Sequence, residues 1–452
     1  MAAIITDALR KNIANTFLTE VNTSGDSHEF YIGIGKSDAY PNNDTLVNPT
    51  ATYRTELEAR NNMQSVKKVT NASFVIPRNN WSSGTIYPAF SDTTVDIDDN
   101  KYYVLTEDNE VYICLQKGRD ATGAANPSIV KPSYTTAGVS DVQSFETSDG
   151  YRWKFLYALS ATKSSAFLSA GWMPIEVIQG AGGDGFQVQQ KGIQDAATAG
   201  QIVGIEVVSG GTGYSSAPTV TINGNGQNAV ATATISGGTV VKVEMNNESA
   251  GMGSAYNYAS ASVSGGSPTT AAALRPIIGP INGIGANALD DLKVKSLMFN
   301  TKPSGEENGD FITDIEIPFR QITLIKNPEI YDSDAIYSNT TGRALKYLKM
   351  NLTSHGIASG DRVTGQSSGA IAFVNDIDSS RVYYHQNENS GFSLFTDGEN
   401  IEDSSGTTAL VDSAQKFSVL DPYSGEVLYI ENRAKITRSA VQTEDIKIVI
   451  TV

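Results

Sequence analysis

The chain of 452 residues is poor in the side chains that build disulfide or metal frameworks, with one cysteine and three histidines. A single cysteine excludes an internal disulfide and any multi-cysteine zinc site. Cys114 lies in the apolar run 111–115, so we expect it to be a small buried hydrophobe. His28, His355 and His385 have no second histidine at a metal-ligand spacing. The sequence therefore predicts no metal and no cofactor.

Basic charge and long apolar runs are also scarce. Lys and Arg number 33 against 49 Asp and Glu, which gives a net charge of −16, and no Lys/Arg run exceeds two residues. A phosphate backbone needs a clustered basic face, so nucleic acid is not an expected partner. No apolar run approaches the roughly 20 residues that span a bilayer. Ile4 and Ile5 are followed by polar residues rather than by the apolar region of a signal peptide. We expect a soluble protein, made in a reducing cytoplasm, without membrane insertion.

What the chain does contain favours β structure. Charged residues make up only 18%, Gly numbers 41, and Thr, Ser, Val, Ile and Tyr are abundant. The stretch 424–452 reads as two strands: in the second, Ile446, Ile448 and Ile450 alternate with other residues. We expect it to close a sheet that begins near residue 30. Apolar residues recur every four positions over 5–21, which predicts a helix.

Further elements follow from local patterns. Residues 53–67 are predicted to form a second helix, and 286–295 a short one. Two apolar runs flank a polar turn at 107–109, which indicates a hairpin.

Composition changes twice along the chain and suggests two inserts. A Gly-rich stretch at 180–185 is followed by Gly, Ala, Ser, Thr and Val up to about Pro276. Short strands punctuated by Gly, Ser and Asp then recur within 343–420, as expected of a small barrel. The predicted organisation is a core interrupted by two β-rich inserts, with these segments: core 1–190, Gly/Ala/Ser-rich insert 191–286, core 287–342, barrel-like insert 343–420 and closing strands 421–452.

Several patterns could carry chemistry, and each has a plainer interpretation. Asp96, Asp98, Asn100 and Glu107 match positions 1, 3, 5 and 12 of a calcium loop, but Lys101 stands where the turn needs Gly, so a solvated acidic turn is favoured.

Two other motifs are treated in the same way. Residues 283–288 resemble G-x-G-x-x-A, yet they follow Gly279-Pro280 rather than a strand, which favours a helix entry over a dinucleotide site. Tyr151, Trp153, Phe155 and Tyr157 alternate along one strand and could stack on bases or sugars, although such a stripe is more often core.

No sequence motif identifies a nucleophile. There is no G-x-S-x-G elbow. The members of a Ser/His/Asp triad are distant in the chain, so a triad is neither indicated nor excluded. We predict that the protein is not an enzyme and has no catalytic residues.

Six short segments occur along the chain in a fixed order: YIGIGKS at 31–37, VIPRNNW at 75–81 with Tyr87-Pro88, VYICL at 111–115, DGYRW at 149–153, FRQI at 319–322 with Asn327-Pro328, and SGEVLYIENR with QTEDIKIVITV at the C-terminus. Together they resemble the baseplate wedge subunit of T-even-type contractile-tailed phages, the gene 8 product family. The resemblance covers roughly 1–180, 287–342 and 421–452, and it is absent from both inserts.

The resemblance implies a layered β-sandwich core with a few helices, and a homodimer. It also implies a structural role among other wedge proteins, which in related baseplates include the products of genes six, seven and ten. The expected location is the tail baseplate of the virion, after assembly in the host cytoplasm. The alternative is a carbohydrate-binding tail module, in which the β inserts and aromatic strands contact glycans of the host surface.

Overall fold

The computed structural model describes residues 4–23, 28–177, 185–246, 251–417 and 419–452. The glycine-rich boundary predicted at 180–184 lies outside these residues. The chain is mainly β, as its composition predicts, and its sheets are antiparallel. None of the described helices has both the length and the apolar character needed to cross a bilayer. The helices are α1 Asp7–Asn22, α2 Pro41–Asp44, α3 Tyr53–Asn62, α4 Tyr134–Ala137, α5 Ala161–Phe167, α6 Gly185–Ala196 and α7 Ala288–Asp291.

The strands are short in most of the chain. In the first part they are β1 Phe30–Gly35, β2 Met63–Lys68, β3 Asn71–Pro77, β4 Tyr103–Leu105, β5 Glu110–Gln116, β6 Ser144–Glu146, β7 Arg152–Ala158, β8 Trp172–Pro174, β9 Ile202–Ser209, β10 Thr219–Gly224, β11 Gln227–Ala229, β12 Ala231–Ser236, β13 Thr239–Met245, β14 Met252–Ser254, β15 Ala259–Ser264 and β16 Ala273–Ile278. In the second part they are β17 Ser296–Thr301, β18 Phe319–Lys326, β19 Glu329–Ile330, β20 Thr341–Arg343, β21 Lys346–Met350, β22 Arg362–Gly365, β23 Ile371–Asp378, β24 Arg381–His385, β25 Asn400–Glu402, β26 Thr408–Phe417, β27 Leu420–Asp421, β28 Glu426–Ile436 and β29 Ile446–Thr451.

The chain divides into two compact units. The first contains residues 1–15, 73–298 and 450–452, and the second contains residues 16–72 and 299–449.

The first unit contains a core rich in aromatic side chains. Its four-stranded sheet has the order β4-β5-β7-β6, and β4 and β5 form the hairpin that the sequence predicts, with Asn109 in the left-handed region at the turn. Apolar residues of β5 and β7 pair across the sheet, for example Cys114 with Trp153. Every residue of β7 is buried, so this strand forms the centre of the unit.

The prediction that the C-terminal stretch closes the sheet beginning near residue 30 is wrong for its second strand, β29. β29 does not join the sheet that contains β1; it belongs to a four-stranded sheet with the order β29-β17-β3-β8. Its alternation is as predicted for Ile446 and Ile448, which are 7% and 1% exposed. The period of two identifies a strand, but it does not specify which earlier strand will pair with it.

A six-stranded antiparallel sheet with the order β13-β12-β10-β15-β16-β9 occupies residues 202–278 of the first unit, together with the small pair β11-β14. Residues of β10 and β15 are alternately exposed and half-buried, and neither strand has a fully buried residue. The segment just before it contains a feature that the sequence reasoning missed, because α6 forms a 12-residue helix over Gly185–Ala196. Its Ile193 is 1% exposed and packs into the aromatic core.

The second unit contains a five-stranded sheet with the order β20-β2-β1-β18-β28. All residues of β1 and all but the last of β18 are buried, so the centre of this sheet is covered on both faces. The first strand of the C-terminal stretch, β28, does join the sheet of β1, as predicted. It pairs with β18 and forms the end of the sheet.

Residues 346–417 of the second unit form a closed barrel with the order β21-β24-β23-β22-β25-β26. The barrel falls within the segment where the sequence predicts one. Its interior is filled by apolar side chains, including Leu348, Val363 and Val382, each fully buried.

Three helical predictions differ from the structure. The helix predicted over 286–295 is limited to the four residues of α7. The predicted helix 53–67 ends at Asn62, and the chain continues directly as β2 because residues 63–68 pair with β1 on one side and β20 on the other. Helix α1 has the predicted extent to within two residues, but Ile5, Leu9 and Ile13 of its apolar stripe are 60%, 48% and 39% exposed. Four residues turn an α-helix by more than a full circle, so a stripe of period four rotates around the helix and only part of it faces the protein.

Candidate functional site

Cys114 is an inert core residue, as predicted. It is fully buried in β5, and its thiol donates to the backbone carbonyl of Gln116 at 3.4 Å. Burial raises the pKa of the Cys114 thiol far above its ordinary value. A protonated and inaccessible thiol is neither a nucleophile nor a metal ligand.

The aromatic stripe of β7 and the residue before it is core. Tyr151, Trp153 and Phe155 are fully buried, and Tyr157 is 1% exposed. Tyr151 stacks on Trp153 with ring centroids 5.5 Å apart, and Tyr87 packs edge-on against Trp153 at 5.8 Å. The rings already use each other as partners, so they cannot serve as a stacking platform for sugars or bases.

The acidic cluster is neutralised by a lysine. Lys295 Nζ lies 2.6 Å from a carboxylate oxygen of Asp96 and 2.9 Å from one of Asp98. Burial opposes ionisation of Asp96, but the hydrogen bonds from Lys295 and the Asp98 backbone, together with the positive charges of Lys295 and Arg10, outweigh it and lower the pKa of Asp96. Asn100 donates to Thr94 at 2.8 Å, and Glu107 pairs with Lys131 at 2.8 Å. The four residues of the calcium-loop pattern therefore bind protein groups and do not converge on one point.

The glycine pattern at 283–288 is a turn that leads into α7. Gly283 and Gly285 have φ of +90° and +94°, and the Asn287 side chain caps α7 by accepting from the backbone of Leu289 at 3.1 Å. The helix has only four residues. The segment enters a helix, as predicted, and it has no geometry for a pyrophosphate.

The same turn surrounds a buried carboxyl group beside a cavity of about 220 Å³. Asp291 is 1% exposed, and its Oδ2 accepts from the backbone of Gly285 at 2.8 Å. Burial raises the pKa of Asp291 to about 7, although the Gly285 hydrogen bond and the charge of Lys154 favour ionisation. Asp291 is thus a core acid that changes charge near neutral pH.

A polar cluster in the second unit joins His385 of the barrel to the segment after β1. His385 Nε2 lies 3.2 Å from Asp38 Oδ2, and Nδ1 lies 2.6 Å from Asn375 Oδ1 and 3.4 Å from Ser37 Oγ. Burial opposes ionisation of Asp38, but the hydrogen bond and charge of His385, the hydrogen bond from Asn387 and the charge of Lys36 together outweigh it and lower the pKa of Asp38. Asn387 Nδ2 also donates to Asp38 at 2.8 Å.

This cluster brings a Ser, a His and an Asp together without the geometry of a triad. A general base needs a free ring nitrogen directed at the nucleophile. Here Asn375 Oδ1 lies closer to His385 Nδ1 than Ser37 Oγ does. In addition, Ser37 Oγ accepts a hydrogen bond from Asn375 Nδ2 at 3.1 Å. Phe373 stacks on the imidazole with centroids 5.5 Å apart. The arrangement is suited to fixing the barrel to the segment after β1.

The other two histidines are not part of this cluster. His355 Nδ1 accepts from the backbone of Ile357 at 3.3 Å within a turn. His28 precedes β1. Within the described ranges, no three His, Cys, Asp or Glu side chains are placed to share a metal ion.

The outer edge of the five-stranded sheet is an accessible surface of the second unit. β28 has 11 residues; those at 427–432 are half-buried and those at 433–435 are exposed. The pairing of β18 with β28 is irregular at Arg320. Gln321 pairs with Asn432, whereas Phe319 pairs with Ile436, so three residues of β28 lie opposite one residue of β18. Residues 433–435 therefore bulge from β18. No other strand of the described chain pairs with the outer side of β28. A strand edge of this length offers unpaired backbone groups to another chain.

A scan against protein-family models and a search of the curated proteins find no match to this chain.

Sequence reasoning singled out Asp96 and His385 but not their partners, and it missed Asp291 altogether. Asp96 and Lys295 are 199 positions apart, and Asp38 and His385 are 347 apart. No local pattern links residues at such separations. The free edge had a local signal, the long run of residues 426–436, but its position at the end of a sheet depends on pairings made elsewhere.

Proposed function

We propose that this chain is a structural subunit of the baseplate wedge of a contractile phage tail. In this role it is a dimeric scaffold that holds neighbouring wedge proteins in place. It assembles in the host cytoplasm and remains in the virion. The proposal starts from the ordered resemblance to the wedge-subunit family.

The observation that carries it is where the resembling segments lie. Three of them, at 31–37, 319–328 and 424–433, are separated by up to several hundred residues in sequence. They contribute β1, β18 and β28, which are consecutive strands of one sheet. The segments at 111–115 and 149–153 likewise contribute to β5 and β7, which pair with each other.

Adjacent buried strands are what a common framework would preserve. The two regions without resemblance, by contrast, form sheets of their own: the six-stranded sheet and the closed barrel. This division supports the interpretation that the resembling segments define the scaffold and that the other two regions are additions to it.

The alternative function, glycan binding, has one observation in its favour. The exposed side of β10 and β15 carries Thr219, Thr221, Ser260 and Ser262. Hydroxyl groups on a flat sheet can bond to sugar hydroxyls. The aromatic rings of β7, which would supply the usual stacking surface, are buried.

Co-expression with other wedge proteins tests the proposal. The scaffold function predicts that the chain co-elutes with at least one wedge protein as a complex of defined stoichiometry, and that it occupies the wedge in reconstructed baseplates. An acidic β-rich protein of similar mass is the control for non-specific association. A chain that binds no wedge protein but binds a defined glycan on an array would replace this function with the alternative.

A further inference from the structure

The outer edge of β28 has a residue pattern that is complementary to itself. When two copies of the strand run antiparallel with Asn432 opposite Asn432, Glu431 lies opposite Arg433 on both sides of the centre. Ile430 then lies opposite Ala434, and Tyr429 opposite Lys435. Opposite charges and apolar pairs placed directly across a ladder each stabilise it.

The neighbouring registers lack this complementarity. Centring the pair on Glu431 places two glutamates opposite each other, and centring it on Arg433 places two arginines there. Centring it on Ala434 sets Arg433 against Lys435. Like charges directly opposite destabilise a ladder. Among these four registers, only the one centred on Asn432 pairs opposite charges without opposing like ones.

The alternation of the strand separates these pairs by face. Tyr429, Glu431 and Arg433 are on one face, and the structure supports this because Tyr429 donates to Glu431 at 2.9 Å and Arg433 lies 3.4 Å from Glu431. The charged face is thus already arranged in the single chain.

The opposite face of the strand is apolar around the centre. It carries Ile430 and Ile436, whose partners Thr323 and Phe319 lie on the same face of β18 as Gln321, the partner of Asn432. Asn432 donates to the backbone carbonyl of Val47 at 2.7 Å. Leu46 and Val47 are 48% and 47% exposed. Two copies paired through Asn432 would bring both sets of these side chains close to the twofold axis, where burial of apolar surface stabilises a dimer.

We propose that β28 is the surface through which two copies of this chain pair, edge to edge and antiparallel, with Asn432 on the twofold axis. The pairing joins the five-stranded sheets of two chains into one continuous ten-stranded sheet. This inference rests on the dimeric scaffold proposed above and assigns its interface. The exposed residues 433–435, which bulge from β18, are the part of the strand that gains new backbone partners.

Cross-linking tests the register directly. Directly opposite residues in an antiparallel pair have Cα atoms about 4.5–5.5 Å apart, which suits a disulfide. Asn432→Cys should therefore form an intermolecular disulfide with its own copy under mild oxidation. Arg433→Cys is the matched control, because its two copies would lie about 8 Å apart and should remain reduced. The native Cys114 is buried and should not interfere.

Charge reversal tests the pairing without cysteine. Glu431→Arg and Arg433→Glu should each weaken dimerisation at least tenfold by light scattering, since each places like charges opposite each other twice. The double variant restores both pairs and should recover the dimer. Glu426→Arg, on the same strand but outside the paired residues, should leave the dimer intact. Circular dichroism confirms that each variant is folded.

The outcomes separate this inference from the function on which it rests. A wild-type monomer, or a dimer that neither single reversal weakens, would overturn the β28 interface. So would cross-linking through Arg433→Cys in place of Asn432→Cys. Loss of dimerisation in the single variants with rescue in the double variant supports the interface even if no wedge protein binds, which would reject the scaffold function alone.

Discussion

The barrel of residues 346–417 and the six-stranded sheet of residues 202–278 both lack the family resemblance, and they are stabilised in different ways. The barrel encloses large apolar side chains. Its fully buried residues include Leu348, Val374, Ile401 and Val411. Closure also removes free edges, so every barrel strand has two neighbours.

The six-stranded sheet has such side chains mainly on its outer strands, where β9 buries Ile202 and Val203 and β13 buries Val240 and Met245. Its two middle strands, β10 and β15, have no fully buried residue, and β12 buries only Ala231 and Ala233. Close approach of backbone segments adds to this packing. At Gly211, for example, a Cβ atom would lie 2.4 Å from the carbonyl oxygen of Thr270.

The comparison shows that two β-rich regions of one chain can be stabilised by different kinds of packing. The barrel depends on an interior filled by large side chains, and the six-stranded sheet combines apolar packing on its outer strands with glycines at positions where no side chain fits. The two should therefore respond to different substitutions. All three tryptophans, Trp81, Trp153 and Trp172, lie in residues 73–298, so tryptophan fluorescence reports on the unit that contains the six-stranded sheet. Amide hydrogen exchange of residues 346–417 reports on the barrel.

The largest expected effect is a cavity in the barrel. Leu348→Ala removes a fully buried side chain and should destabilise the barrel by about 2–5 kcal/mol. Ile222→Ala in β10, where the side chain is only half-buried, should cost about 1 kcal/mol or less. Hydrogen exchange measures the effect of Leu348→Ala on the barrel. Tryptophan fluorescence during urea unfolding measures the effect of Ile222→Ala on the unit that contains the sheet. Equal losses at the two sites would show that the sheet also depends on a packed core.

Substitution of a glycine in each of the two regions should have the opposite order of effects, with the larger loss in the six-stranded sheet. Gly211→Ala should destabilise the sheet by roughly 2–4 kcal/mol, because the methyl group both strains the positive φ of +64° and collides with the backbone of residues 270–272. Gly391→Ala in the barrel has a similar φ of +72° but open space around it, so only the strain of about 1–2 kcal/mol remains. A Gly391 variant as unstable as the Gly211 variant would contradict the role given to close backbone approach.

The same comparison shows how far the sequence alone could lead. Period-two alternation and glycine spacing predicted the strands of both regions, because those signals are local. The sheet assignment of β29 and the end of α3 at Asn62 could not be predicted from them. Both depend on ladders formed with distant strands. The candidate sites were limited in the same way, since Lys295 and Asp38 act on partners hundreds of residues away.

Two buried carboxyl groups predict opposite pH dependence. Glu399 in the barrel accepts from the backbones of Ser367, Ser368 and Thr396 and from the Ser368 hydroxyl, which lowers its pKa although burial opposes this. The contribution of ionised Glu399 to the free energy of unfolding is present above the ordinary glutamate pKa. It is lost as the pH falls through the lowered pKa of Glu399 in the folded protein. Glu399→Gln should cost about 1–3 kcal/mol at neutral pH, because hydrogen bonds to a charged acceptor are lost, and hydrogen exchange of the barrel measures this cost.

Asp291 should behave in the opposite way. Its pKa is raised by burial to about 7, so its contribution is complete below the ordinary aspartate pKa and is lost as the pH rises towards 7. The stability measured by tryptophan fluorescence should fall by about 1.4 kcal/mol per pH unit in that window, and Asp291→Asn should flatten the slope. An unchanged slope in the variant would show that Asp291 is ionised throughout.

The smallest expected effect is that of a chelator. Asp96 and Asp98 share Lys295, and Asn100 and Glu107 bind other groups, so the pattern that resembles a calcium loop should not need a cation. A ligand that binds only the folded state raises Tm, and its removal lowers it. EDTA should therefore leave Tm unchanged, whereas Lys295→Met should lower it by leaving two neighbouring carboxylates without their cation. A fall of several degrees on addition of EDTA, reversed by calcium, would show that a metal binds in the folded protein and would contradict the assignment of Lys295 as the counter-charge of this turn.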